Sequence, residues 1–537
     1  MKKLTLRIFI LSLLFAFSGY SNAQVEEEII NWYNNTKPGM SIDKAYKLLK
    51  KIEPETVVVG IVDSGIDVDH EDLKGQIWIN SDEIAGNGID DDNNGYIDDI
   101  HGWNFLGKSD GTNLEHARLD GTRIYARLKP RFESIEDESE VAEEDKKDYE
   151  LYLKTKSFVE TNFLQYSMIL QKMVEYRDEL LPTLMPNLAK ALDVKEEELT
   201  EEMVKEWTPK SNEEAELKRF GSIVLAGEDL SNLLNRQINQ IQSMVDYYYN
   251  PDFDDRAVIG DDYLDMNDLE NYGNNDYEGP DALHGTHVGG IVAALRGNGL
   301  GGDGVADNAR LMSLRAVPDG DEFDKDIALS IRYAVDNGAK VINGSFGKAF
   351  SSLPHEVYEA LIYAQEHDVL FVHAAGNDAK DLAKEDNFPA VHYEFQDEPF
   401  THVLTIGAST RDDKGNLPAV FSNYGADQVD IFAPGFEIYN AIPDNKYQKL
   451  QGTSMAAPMV AGAVALIKGY FPNLTMLEIK NIILDSGDDY SKTLQRKPGT
   501  TEKVPFGELS RTGKVVNLHK AVKMAKKISK KKAKQNK

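Results

Sequence analysis

Apolar positions follow two main rhythms along this 537-residue chain. In the first, "TVVVGIVDSG", a continuous β-branched run from Thr56 to Val62 ends in a glycine turn. An uninterrupted apolar strand is what a parallel sheet covered on both faces requires. Similar runs recur after residue 279, at "RLMSLRAV", "KVING", "VLFVHAA", "VLTIGA" and "QVDIFAPG". Helix-like runs stand among them, at "DKDIALSIRYAVDNG", "PHEVYEALIYAQEHD" and "SMAAPMVAGAVALIKGYF". Strand and helix alternating at this spacing predict a doubly wound, mostly parallel α/β sheet. Ligand sites in such a sheet lie at the carboxyl ends of the strands.

The second rhythm occupies residues 105–278, which are acidic, rich in Glu, Lys and Leu, and poor in strand signals. Val159, Phe163, Tyr166, Leu170 and Met173 step by 4, 3, 4 and 3, as do Leu234, Ile238, Ile241, Val245 and Tyr248. Each set is a helical apolar seam. Ser211-Asn-Glu-Glu214 has capping-box spacing and predicts the start of the second long helix. This predicts a large α-helical insertion, a hairpin or small subdomain. It is either a solvated spacer or a substrate-selecting or gating element.

The ends differ again. Lys2, Lys3 and Arg7 precede an apolar run, Ile8 to Phe17, and "SNA" supplies small residues at Ser21 and Ala23. This predicts a secretory signal cleaved after Ala23. Ten apolar residues are too few to cross a bilayer, and no later run is long enough, so no transmembrane segment is expected after cleavage. The tail "KMAKKISKKKAKQNK" is basic and predicts disorder or a frayed helix end.

Composition narrows the chemistry. The formal charge of −31 argues against nucleic acid as a partner. The absence of cysteine excludes disulfides, thiolate metal sites and a cysteine nucleophile. A hydroxyl nucleophile then needs a base, and the base an orienting group. Ser454 in "QGTSMAAPMVAGAVALI" follows a Gly-Thr turn at a helix start, where free N–H groups and the dipole suit a developing oxyanion. Pro458 is expected in the tolerant first turn. By itself, a serine in this position is ordinarily a cap. Asp63 closes the strand in "VDSGIDVDHEDL" and is either a turn residue or the partner of an imidazole. His284 and His287 in "DALHGTHVGG" have helical spacing that metal ligands also use, but no third ligand accompanies them.

"VDSGID", "HGTHVGG" and "GTSMAAP", in that order, resemble the three signature blocks of the subtilisin-like (subtilase, S8) serine proteases. "VINGSFG", "HAAGND", "FSNYGADQVDIFAPG" and "GKVVNLHKAV" extend the resemblance over residues 40–104 and 279–523. It implies that Ser454 is the nucleophile, His284 the base and Asp63 its orienting group. It implies that Asn377 donates to the oxyanion, and that Ser345-Phe346-Gly347 and Ala374-Ala375-Gly376 wall the first specificity pocket. His287 is then a packed neighbour. Expected partners are protein or peptide substrates, with no organic cofactor. The resulting division is a signal (1–23), an N-terminal segment (24–55), a subtilisin-like domain (56–104 and 279–523), the insertion (105–278) and the tail (524–537). A secreted or periplasmic serine endopeptidase is expected, for processing or general degradation, with an inactive binding scaffold of the same fold as the alternative.

Two acidic segments carry further expectations. Asp90, Asp92, Asn94, the Tyr96 carbonyl and Asp98 have much of the spacing of a calcium loop, although His101 stands where a glutamate would close it. The alternative is an acidic turn held by Asx bonds. The resemblance implies that the loop "PDGDEFDKD" lies where substrate backbone pairs with the enzyme edge, so Asp319, Asp321, Glu322, Asp324 and Asp326 would make that rim acidic and favour basic residues upstream of the cut, unless they merely solvate a helix N-terminus.

Overall fold

The computed structural model describes residues 29–227 and 229–535, so the expected signal lies outside the described residues. The strands are β1 (Val57–Asp63), β2 (Gly102–Lys108), β3 (Tyr272–Asn274), β4 (Ala309–Arg315), β5 (Val341–Gly344), β6 (Leu370–Ala374), β7 (Val403–Ser409), β8 (Ile431–Pro434), β9 (Ile438–Ile442), β10 (Lys446–Leu450), β11 (Asp488–Asp489), β12 (Leu494–Arg496), β13 (Lys503–Pro505) and β14 (Lys514–Val515). The α-helices are α1 (Ile42–Leu49), α2 (Asp120–Phe132), α3 (Lys146–Glu175), α4 (Leu184–Leu192), α5 (Glu201–Glu206), α6 (Asn212–Leu225), α7 (Leu230–Ser243), α8 (Leu283–Ala293), α9 (Asp324–Asp336), α10 (Pro354–Glu366), α11 (Thr453–Tyr470), α12 (Met476–Ser486) and α13 (Leu518–Gln535).

These elements form two compact units, Gly121–Phe253 and the described chain on either side of it. In the larger unit a ten-stranded sheet runs β11-β14-β8-β7-β6-β5-β1-β4-β2-β3. Neighbours from β8 to β2 pair in parallel, with Val59 opposite Val341 and Leu311. β1 shows why its run is unbroken. Val57, Val59 and Ile61 enter a core with Val460, Val464 and Ile467 of α11. Val62 enters the other core with Ile327 and Ile331 of α9 and Leu361 of α10. Successive residues point to opposite faces, and both faces are covered.

The smaller unit is all helical, as its seams predict, but it is built from more pieces. Ile169 and Met173 of α3 pack with Phe220 of α6 and with Leu234, Ile238 and Ile241 of α7. Ser211 does cap a helix, accepting from Glu214 N at 3.2 Å. That helix is α6, however, and the second seam belongs to α7. Left-handed Gly227 (φ +87) interrupts the chain between them.

Three boundaries need correction. The sequence begins the insertion at 105 and ends it at 278, yet β2 pairs with β4 and β3 pairs with β2 inside the large sheet. Both strands mix Gly and Asn with apolar residues, so neither gives a periodic signal. The tail is neither disordered nor frayed over its described part, because α13 reaches Gln535. Leu518, Ala521, Val522 and Ala525 supply one buried stripe, and Lys532 pairs with Glu478 at 2.7 Å. Pro458 lies inside α11, not in its first turn. It removes the N–H that Ser454 O would accept, and Ser345 Oγ donates to that carbonyl instead, at 2.9 Å.

Candidate active site

Asp63 stands at the carboxyl end of β1, and Ser345–Gly347 and Ala375–Asn377 follow β5 and β6 directly. Parallel pairing puts these strand ends along one edge of the sheet. His284 occupies the first turn of α8, which reaches the Asp63 turn only because residue 285 is glycine. A Cβ on Gly285 would lie 2.1 Å from Gly65 O. Thr286 Oγ1 locks this approach by accepting from Asp67 N at 2.9 Å.

His284 Nδ1 lies 2.7 Å from Asp63 Oδ1, with Asp63 only 1% exposed and His284 36% exposed at the side chain. A carboxylate accepts only, so Nδ1 carries the hydrogen and Nε2 keeps its lone pair when the ring is neutral. Ser64 N also donates to Asp63 Oδ1, at 2.8 Å. Burial disfavours the imidazolium, but the Asp63 charge and hydrogen bond outweigh it and raise the His284 pKa above the ordinary histidine value.

Ser454 is the second residue of α11. Its Oγ donates to Ser345 O at 3.2 Å, and no hydrogen bond to His284 is described. Catalytic contacts of this kind often tighten only when substrate binds. Ser345 ties the elements together. Asn343 Nδ2 donates to Ser345 Oγ at 2.9 Å, and Ser345 Oγ donates to Ser454 O. Asp63, His284 and Ser345–Gly347 line one cleft of about 350 Å³.

Asn377 is oriented by Thr453, whose N and Oγ1 donate to Asn377 Oδ1 at 2.8 and 3.0 Å. A backbone N–H can only donate, so Oδ1 faces Thr453 and Nδ2 is left as a donor. Gly376 N in turn donates to Thr453 Oγ1 at 3.0 Å. Fully buried Asn423 shapes the same turn. Its Nδ2 donates to Ala375 O at 2.9 Å, and its Oδ1 accepts from Asp378 N and Lys380 N at 3.0 and 2.8 Å. Thr453 and Asn423 were missed in the sequence, although both lie in blocks that carry the resemblance. Ala374 and Ala375 are buried, and the Phe346 ring turns into the core beside Phe371 and His373, so these segments present mainly backbone.

The two histidines of "HGTH" separate cleanly. His287 is fully buried, and its Nε2 lies 3.1 Å from both Ile438 O and Gln448 O. It therefore donates to the β9–β10 hairpin, and burial pushes its pKa down to about 3. A nitrogen donating to two carbonyls is not a metal ligand.

The acidic loop is only partly as expected. Among the described residues, Glu83, Asp90 and Asp92 bring carboxylate oxygens within 4.8 Å of one another. Glu83 was missed because it lies outside the spaced motif. Asp98 faces away, accepting from Asn87 N and Gly88 N at 3.1 and 2.8 Å. Asn94 Oδ1 accepts from Tyr96 N at 2.8 Å, an Asx bond. The predicted rim also changes. Asp326 pairs with buried Arg256 and Asp324 with Lys348, each at 2.8 Å. Asp319 and Glu322 do line the cleft, joined there by Glu115 and Asp281.

A model of the Subtilase family matches residues 55–507, and the chain belongs to that family. It is 36% identical over 260 residues to a thermophilic serine proteinase of Bacillus sp. (strain AK1), covering 48% of this chain and 58% of that protein. It is 36% identical over 211 residues to subtilisin BL of Lederbergia lenta, covering 39% and 72%. It is 36% identical over 220 residues to a cell wall-associated protease of Bacillus subtilis (strain 168), covering 41% and 23%. The chain thus spans a little over half of the first protein and under a quarter of the last.

Proposed function

We propose that this protein is a secreted serine endopeptidase acting through an acyl-enzyme on Ser454. The observation that carries this reading is the 2.7 Å bond between buried Asp63 and His284 Nδ1, which leaves Nε2 as a base toward the cleft. Ser454 Oγ turns from Ser345 O toward Nε2 and attacks the substrate carbonyl, forming an O–C bond as its proton passes to Nε2. The oxyanion is met by Asn377 Nδ2 and the Ser454 N–H at the start of α11. Collapse breaks the C–N bond, and His284 returns the proton to the leaving amine. Water then repeats the sequence and releases the acid. Membership of the family and the serine proteinase relatives support the same reading.

A fluorophosphonate probe tests it. Labelling of the wild-type protein, lost in Ser454→Ala, is expected, together with internal cleavage of end-blocked peptides. An unlabelled, folded wild type would overturn it and leave a binding scaffold.

The Glu83, Asp90 and Asp92 oxygens fit a hard cation such as calcium, which takes carboxylate ligands and would offset their mutual repulsion. A structural role is proposed for it. Calcium should raise the melting temperature of the wild-type protein and not that of Glu83→Gln.

A further inference from the structure

The geometry points to the lysine face of α13 as a peripheral docking surface for an anionic lipid bilayer. This goes beyond the proposed peptidase activity and does not depend on Ser454. It starts from charge. The chain has 90 acidic residues against 59 Lys and Arg, yet its last twenty residues hold nine lysines and no acid. A face that is merely solvated mixes both signs.

The helix sorts these lysines by side. Leu518, Ala521, Val522 and Ala525 are buried in the core of the large unit. At 3.6 residues per turn, Lys523, Lys527, Lys530, Lys531 and Lys534 fall within an arc of about 100° directly opposite. All five are exposed, and none has a described ion pair or side-chain hydrogen bond. The other described lysines of the helix are engaged. Lys520 pairs with Asp488 and Lys532 with Glu478, each at 2.7 Å, and Lys526 Nζ donates to Leu48 O at 3.4 Å. Complementing the helix dipole needs cations only in the last turn, and Lys523 and Lys527 stand well before it.

The shape and chemistry of the stripe select a bilayer. It is convex and about 16 Å long, which suits a flat surface. It is all lysine, a hydrated point charge on a flexible stem, which suits a fluid array of headgroups; fixed phosphate recognition favours the arginine fork. The apolar side of α13 is already packed, so the helix holds the surface by charge without inserting. The acidic remainder of the chain is repelled by the same surface, which leaves this face as the one presented.

Vesicle co-sedimentation of the full chain at low salt tests this. The wild type should bind vesicles containing about one-third phosphatidylglycerol more than about ten-fold more tightly than phosphatidylcholine alone. The difference should vanish at about 1 M salt, where the screening length falls to roughly 3 Å. Each lysine removed should weaken binding about five-fold, so Lys527→Gln, Lys530→Gln and Lys531→Gln together should weaken it about a hundred-fold. Lys195→Gln, Lys205→Gln and Lys384→Gln remove the same charge at other exposed sites and should leave it within about three-fold. Melting temperatures check that both triple variants fold. A wild type without preference for phosphatidylglycerol, an unchanged first variant, or equal losses in both variants would overturn the proposal. Self-association of the wild type at low salt without vesicle binding would overturn it too, by giving the stripe to the acidic surface of a second copy. So would capture by soluble polyphosphate with vesicles ignored.

Discussion

The long helices of the two units differ in how they use their apolar residues. In α11 nearly every residue from Thr453 to Tyr470 is buried, and small side chains let the sheet and α8 approach closely. A Cβ on Gly462 would lie 2.7 Å from Val305 Cβ. In the thirty-residue α3, six residues are buried, while Leu153, Leu164 and Met168 are 45%, 63% and 46% exposed. The α/β unit fixes side chains tightly enough to set proton positions. The helical unit carries none of the proposed catalytic groups and has looser packing demands. Precision follows the chemistry.

The largest effect that would break this contrast is at Asp63. Asp63→Asn should lower kcat/KM by about 10⁴-fold, because the amide no longer holds His284 in the required tautomer. Removing the carboxylate also lowers the His284 pKa, so the acid limb of the wild-type pH profile should lie above the ordinary histidine range and shift downward in any residual activity. A variant within ten-fold of the wild type would contradict the role given to Asp63.

Next comes the proposed oxyanion donor, Asn377. Asn377→Ala should cost about 10²–10³ in kcat with little change in KM. A loss confined to KM would mean that the amide binds substrate uniformly.

Packing supplies the third contrast. Ile342→Ala, in β5 and fully buried in the core it shares with Ile331 and Leu361, should cost about 2–5 kcal/mol. Leu164→Ala, 63% exposed, should change stability by no more than about 0.5 kcal/mol. Urea unfolding of each variant checks both. Equal effects would erase the distinction between the two regions.

A further effect concerns pH. His287 is buried neutral, with its pKa pushed down to about 3, and His373 likewise, to about 4. Both titrate near 6.5 when unfolded, so the unfolded chain binds the extra protons. Their contribution is therefore present above about pH 6.5 and is lost as pH falls toward the folded values, by up to ~1.4 kcal/mol per histidine per unit. His287→Gln should flatten the decline in melting temperature between pH 6.5 and pH 4; an identical slope would assign the decline to other groups.

The sheet and the residues of the proposed triad were legible because their signals are local. A strand buried on both faces reads as unbroken β-branched residues, and Asp63, His284 and Ser454 lie inside short blocks. The 221-position separation of Asp63 and His284 did not hide them, because each block carries its own turn chemistry. What stayed hidden depends on contacts distant in sequence. Asn423 reaches back to Ala375 O, and Glu83 joins Asp90 from outside its motif. β3 is three residues long and has no period to detect. The repair of the Pro458 gap by Ser345 needs the turn after β5 brought to the start of α11 in space.

The acyl-enzyme offers the most direct test. The wild-type protein is mixed with an activated ester at low pH, where His284 is protonated and deacylation is slow, then digested and weighed. The account predicts an acyl mass increment on the peptide carrying Ser454, chased away when the pH is raised. Turnover of the ester with no increment, or an increment on another residue, would contradict it.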